Sequence, residues 1–137
     1  MVMIPRYDND KNSPRFAIMV SASPYEGLAA ESALGFAKAV VELSHRLSCV
    51  YFYHDAVLHA CEMSADLRQH SLSARWAELA AQAGVPLWLC QAAGERRGLA
   101  SLSLPDGFEW GGLARFFSVL DAGTRVASFG RCSRGRA

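Results

Sequence analysis

The sequence predicts an α/β fold: a single-domain three-layer sandwich around a mostly parallel sheet of about five strands, flavodoxin/Rossmann-like in layout. Three observations predict it. Short apolar runs without polar alternation, Phe16–Val20 and Val85–Cys90 among them, are what strands covered on both faces require. These runs alternate along the chain with segments whose apolar residues recur at the helical period. No internal repeat interrupts the alternation, and strands alternating with helices give a parallel sheet with right-handed crossovers. At 137 residues the chain is long enough to bury one core without disulfide staples.

Residues 1–14 are polar and proline-broken, with Asp8–Pro14 as the clearest loop signal, and are expected to be a flexible N-terminal extension. The α/β domain is expected over residues 15–130. Phe16–Val20 is its first strand, followed by a Ser21–Gly27 loop whose serines and glycine could cradle an anion. That loop has neither the G-x-G-x-x-G order nor a Walker lysine, which argues against a nucleotide site. Ala29 to about Arg46 reads as a helix. Ala30, Leu34, Ala37 and Val41 form one apolar stripe, and Ala33, Phe36, Val40 and Leu43 form a second beside it. Deep burial would explain both stripes; a subunit interface is favoured here, because a small domain has little surface to hide two.

Leu47–Tyr53 is the second strand, with Cys49 in the core and His54-Asp55 at its end. Residues 62–70 are polar and irregular. Leu72, Trp76, Leu79, Ala80 and Ala83 mark an amphipathic helix stopped by Gly84, with Trp76 facing inward. Val85–Cys90 is the third strand, and Ala92–Arg97 is at most a short helical turn. Leu99–Gly107 is loop and Phe108–Trp110 a short strand. Leu113–Ala122 is a helix with Leu113, Phe116, Phe117 and Leu120 inward, and Arg125–Phe129 closes the sheet. Arg131–Ala137 is a basic tail, expected to be disordered.

The totals exclude several function classes. A net charge of +1 leaves no electrostatic footprint for nucleic acid, so no direct nucleic-acid contact is expected. No apolar run approaches membrane-spanning length, and the first residues lack the charged-then-apolar order of a signal peptide, so no membrane partner and a cytoplasmic location are expected. Cys49, Cys61, Cys90 and Cys132 fall at no C-x-x-C spacing and should be free thiols in a reducing compartment. His54, His59 and Cys61 are metal-capable, but three ligands in eight residues match no standard zinc spacing. Neither a metal nor an organic cofactor is expected.

The chemistry concentrates at Cys90. It ends an apolar strand, and parallel sheets place their ligands at carboxyl ends of strands. Helix-start N–H groups and the neighbouring Arg96 and Arg97 would favour thiolate over thiol. A packed core cysteine beside a solvated arginine pair is the competing reading, and the spacing alone does not choose between them. His54, at the end of the second strand, would stand on the same rim and is the best histidine to face the cysteine.

The segment Cys90-Gln91-Ala92-Ala93-Gly94-Glu95-Arg96-Arg97-Gly98 resembles the cysteine-to-Arg-Arg-Gly segment of the DsrE/TusD family of small sulfur-transfer proteins. Arg15–Ile18 with Pro24-Tyr25 and Phe36–Ala39 resembles that family's first strand and helix, and Val50–Asp55 its second strand. Arg75–Ala80 resembles the helix before the cysteine, and Gly112-Leu113 with Arg125-Val126 and Phe129 the last helix and strand. The chain departs from the family in a shortened 99–107 loop and in Gly94, where relatives often have alanine. The resemblance implies a sulfurtransferase that carries sulfane sulfur as a persulfide on Cys90, with Arg96 and Arg97 stabilising the anion and His54 as a weaker candidate for proton handling. It implies partners as well: a homo-oligomeric trimer or a hetero-hexamer with sister subunits, and proteins that donate and accept sulfur. The sulfur would go to tRNA 2-thiouridine or to dissimilatory sulfur oxidation. Two other classes fit parts of the sequence, a non-catalytic assembly subunit and a small-anion or nucleotide-binding module using Ser21–Gly27.

Overall fold

The computed structural model describes residues 13–26, 28–61 and 71–130. Five strands, β1 (Arg15–Val20), β2 (Arg46–Phe52), β3 (Leu87–Cys90), β4 (Phe108–Gly111) and β5 (Thr124–Phe129), form one sheet in the order β4-β3-β2-β1-β5. Every pairing is parallel. Between them lie α1 (Ala29–Glu42), a 3₁₀ segment (His54–Ala60), α2 (Leu72–Ala83), α3 (Gln91–Arg96) and α4 (Leu113–Ser118).

Side-chain alternation along the strands divides the helices between two faces. Phe52 pairs with Val20 in register and packs its ring on His59 and Trp76, while Phe36 of α1 meets Phe16. The helices α1 and α2 therefore cover this face. Tyr51 points the other way, onto Phe116 of α4 at 5.3 Å between ring centroids. The connectivity explains the split. The chain steps β1, β2, β3, β4 in one direction, then returns past β1 to place β5, and right-handed crossovers travelling opposite ways lie on opposite faces. The result is the expected three-layer sandwich.

Local signals set the element ends. Ser71 caps α2, its hydroxyl accepting from the Ala74 N–H at 3.1 Å, and Gly84 stops the helix in the left-handed region at φ 67°. Helix α1 stops at Glu42, short of the expected Arg46, because Ser44 turns left-handed (φ 61°) and β2 starts at Arg46. Both apolar stripes of α1 are covered within the chain: Ala30, Ala33, Leu34, Ala37 and Val40 are buried and Phe36 packs on Phe16 and Phe129. Only Leu43, beyond the helix end, is exposed among them. The interface reading of that helix is thus replaced by deep burial. Helix α4 is also shorter than expected, and of its inward-assigned residues Phe116 alone is buried; Leu113 and Phe117 face solvent and Leu120 is partly covered. A six-residue helix has too few turns to seat four large side chains on one sheet face.

Gly94 has a packing reason. A Cβ there would overlap the ring of Trp110, so the glycine lets α3 lie directly on the β4 indole. The expected extension over 1–14, apart from Ser13 and Pro14, and the basic tail 131–137 with Cys132 lie outside the described residues. So do Gly27 and residues 62–70.

His59 is fully buried, its Nδ1–H donating to the Ala56 carbonyl at 2.7 Å. Burial pushes its pKa down from 6.5 to about 4. A depressed histidine is neutral when folded, so its contribution to stability is fully present above about pH 6.5 and is lost as pH falls toward 4. The total is on the order of 3 kcal/mol. Urea unfolding at pH 7 and pH 5 should show a stability drop that shrinks by roughly 2 kcal/mol in His59→Gln; equal drops would mean His59 titrates normally. Gly94→Ala should lower the Tm by roughly 3–5 °C, because overpacking against Trp110, about 1–3 kcal/mol, exceeds the gain of about 1 kcal/mol in helix propensity. A Tm at or above wild type would mean the indole moves aside at little cost.

Candidate active site

The site is built at the carboxyl end of β3. Leu87, Trp88, Leu89 and Cys90 are all buried, held between β2 and β4 by the pairings Leu89↔Phe52 and Cys90↔Gly111. Cys90 ends the strand and also begins α3 as its N-cap residue, with φ −61° and ψ 114°. Strand end and helix start therefore share one residue, as the apolar run followed by small residues suggests. Its exposure is only 5%. The thiol lies at the rim but beneath its surface, more sheltered than an open nucleophile.

Arg97 closes the rim rather than the sulfur. Its guanidinium donates to Asp55 Oδ1 from Nη2 at 2.7 Å and from Nε at 3.3 Å, and Nη1 donates to the Ala93 carbonyl at 3.0 Å. The bonds join α3 to the 3₁₀ segment after β2. Arg96 is exposed and has no ion pair among the described residues. His54 is exposed and left-handed (φ 50°), with its ring tilted against Tyr53 at 3.9 Å between centroids. Cys90, Arg96, Arg97 and His54 thus share the carboxyl rim, but the described hydrogen bonds and ring contacts of the three supporting residues do not reach the sulfur.

A residue that sequence reasoning passed over stands closer. Tyr51 is fully buried, its hydroxyl donates to the Gly111 carbonyl at 3.2 Å, and the register puts its side chain on the same face of the sheet as Cys90, the residue paired with Gly111. Burial first, then the Cys90 sulfur and Tyr53, push the Tyr51 phenol pKa upward. Tyr53 lies 6.5 Å from Tyr51 between centroids, so aromatic rings run from exposed His54 to the neighbour of the sulfur. Strand alternation could have placed Tyr51 opposite Tyr53's neighbour Phe52, but not beside Cys90, because that requires the strand order.

The other cysteines have different settings. Cys49 is buried in β2, and burial pushes its thiol up to about 12. Cys61 is partly exposed at the end of the 3₁₀ segment. His54 and His59 do not converge, one packing against Tyr53 on the rim and the other enclosed in the core. Among the described residues no three His, Cys, Asp or Glu side chains gather where they could share a metal ion. In the Ser21–Gly27 loop, Ser23 is buried and its hydroxyl accepts from the Tyr25 N–H at 3.0 Å, so it braces the loop internally. A cleft of about 580 Å³ lies at the opposite end of the sheet, lined by Arg15, Arg46, Ser48, Pro86 and Asp121. The residues that begin β1 and β2 line it, far in the topology from Cys90.

Comparison with known proteins agrees with this architecture. The model of the DsrE/DsrF-like family matches residues 15–129. The chain is 34% identical over 127 residues to a Vibrio vulnificus protein named Sulfurtransferase TusD homolog, covering 84% of this chain and 97% of that one. It is 38% identical to Sulfurtransferase TusD of Klebsiella pneumoniae, over 84% and 99% of the two chains. A protein of Allochromatium vinosum named Putative sulfurtransferase DsrE is 38% identical over 87 residues, 62% of this chain and 66% of that one. The crystal structure of the ychN protein from E. coli superposes with a TM-score of 0.68 at 26% identity, covering 85% of this chain and 99% of that chain. With its fold and nearly all of its α/β domain matched, the chain belongs to the DsrE/DsrF-like family.

Proposed function

We propose that this chain is a cytoplasmic sulfur-relay protein that carries sulfane sulfur as a persulfide on Cys90 and passes it to a cysteine of a partner protein. The observation that carries the reading is Cys90 itself, a free cysteine ending a strand on the carboxyl rim, in a chain whose relatives are named sulfurtransferases. Cys49 is unsuited, because the thiolate is the nucleophile and burial holds that thiol protonated.

In the proposed cycle the Cys90 thiolate attacks the outer sulfur of a donor persulfide. The donor's S–S bond breaks, the donor leaves as a thiolate, and the sulfur remains as Cys90–S–SH. An acceptor thiolate then attacks that sulfur, the new S–S bond at Cys90 breaks, and Cys90 leaves as a thiolate. Each step exchanges one S–S bond for another, so no external oxidant enters. The low exposure of Cys90 gives the persulfide form a purpose, since the transferable sulfur stands about 2 Å beyond Sγ. Exposed Arg96 is suited to meet an anionic persulfide or an acidic partner, and His54 to exchange protons at the rim. Arg97 acts through its bond to Asp55, holding the rim in shape. Delivery to tRNA 2-thiouridine and delivery to sulfur oxidation both fit this exchange.

The chain is also proposed to work in an assembly, as a trimer or as a hetero-hexamer with sister subunits. Leu113 and Phe117 on α4 and Val126 on β5 are exposed apolar residues on the same side of the sheet, as the register Val126↔Ala17 and Met19↔Tyr51 requires. The same surface would serve a non-catalytic subunit, and sulfur loading separates the two roles.

Incubation with a persulfide donor or a cysteine desulfurase should add one sulfur atom, located at Cys90 by peptide mass spectrometry. Cys90→Ser should abolish it; undiminished loading of that variant would remove Cys90 from the proposal. Light scattering at micromolar concentration should give a multiple of the chain mass, alone or with co-expressed sister subunits. A monomer under both conditions would retire the assembly role.

A further inference from the structure

The Tyr51 hydroxyl is a polar group inside the core, and the strand order dictates what it meets. Strand β3 lies between β2 and β4, so a hydroxyl from β2 that bonds a carbonyl on β4 must cross β3. The residue of β3 level with Gly111 is Cys90. The two side chains share a face, because Tyr51 pairs with Trp88 and Cys90 follows two residues later. Phe116 covers the Tyr51 ring from α4 and limits its movement.

We propose that Tyr51 is a positioning residue for the Cys90 sulfur, holding the protonated thiol in one orientation and donating its own O–H to the thiolate that begins sulfur transfer. In the thiol state Tyr51 donates to the Gly111 carbonyl, which can only accept, and its oxygen lone pairs receive the Cys90 S–H. In the thiolate state the sulfur becomes the stronger acceptor, and rotation about the phenolic C–O bond turns the O–H onto it. No proton passes from tyrosine to sulfur. The phenol stays protonated, because burial and the adjacent sulfur both raise its pKa. The use of this contact in transfer rests on the sulfur-relay reading; the contact itself does not.

Tyr51→Phe keeps the ring and its packing while deleting the hydroxyl. The rate of Cys90 alkylation by iodoacetamide, followed against pH by peptide mass spectrometry on the full chain, should have its midpoint raised by about one pH unit. Below both midpoints the variant should react roughly tenfold more slowly. The other titratable and charged groups facing this rim are Tyr53, His54, the Asp55–Arg97 pair, the Glu109–Arg115 pair and the charged residues of α3. All persist in the variant, so the difference isolates one hydroxyl. Tyr53→Phe should leave the profile in place. A Tyr51→Phe profile that superimposes on wild type, with near-UV circular dichroism unchanged, overturns the proposal. An independent measurement on the wild-type chain covers the case in which the variant does not fold. The Cys90 S–H infrared stretch, identified by its loss in Cys90→Ala, should lie at the lower frequency of a hydrogen-bonded thiol, and a free-thiol frequency overturns the proposal equally. Neither readout requires sulfur loading, so a failed loading experiment and a failed Tyr51 assignment are distinguishable.

Discussion

The pairing of β3 on both edges is the constraint on which the rest of the structure depends. A four-residue strand has little cohesion alone; here it is buried throughout and hydrogen-bonded to β2 on one side and β4 on the other. Period-two alternation then leaves one choice for each side chain. Leu89 joins Phe52 and Trp110 on the face of α2 and α3, while Trp88 and Cys90 join Tyr51 on the face of α4. A slip of one residue would move the cysteine to the opposite face, away from the Tyr51 hydroxyl. The position of the sulfur is therefore a property of sheet register more than of any contact the sulfur makes.

Around that fixed point the rim is closed by interactions of modest strength and specific geometry. The Arg97–Asp55 pair is partly exposed, 29% and 58% at its two side chains, and pairs of that kind contribute about 1 kcal/mol or less. Its importance is directional, since two donors converging on one carboxylate oxygen and a third bond to the Ala93 carbonyl fix where α3 sits over the 3₁₀ segment. Gly94 works in the same region by omission, letting the indole of Trp110 lie where a methyl group would stand. Together they frame Cys90 at the junction of strand and helix, where its exposure is 5%.

The core beneath the rim is aromatic and includes a buried histidine. Phe52 meets His59, Trp76 and Phe108 at centroid distances between 4.8 and 5.5 Å, so a single residue of β2 joins the 3₁₀ segment, α2 and β4. His59 is tolerated because its Nδ1–H has the Ala56 carbonyl and its ring packs as an aromatic. The cost falls on acid stability rather than on folding at neutral pH.

The sequence by itself determined the fold class, the elements Phe16–Val20, the helix from Leu72 to its stop at Gly84, and the strand ending at Cys90, because burial on both faces and helical period are written directly in residue order. It also singled out Cys90, since an apolar run meeting small residues and two arginines is a local pattern. Tertiary structure decided what depends on neighbours distant in the chain. The two stripes of α1 became core because the sheet and α2 surround that helix, and α4 kept Phe117 outside because it turns the adjacent Phe116 onto the sheet and neighbouring residues of a helix point about 100° apart. Arg97 belongs to Asp55, 42 residues away, and not to the sulfur seven residues before it. The Tyr51 hydroxyl spans β3 at the level of Cys90 only because the order β4-β3-β2 puts a strand between the phenol and its acceptor carbonyl. No spacing in a linear sequence encodes that crossing.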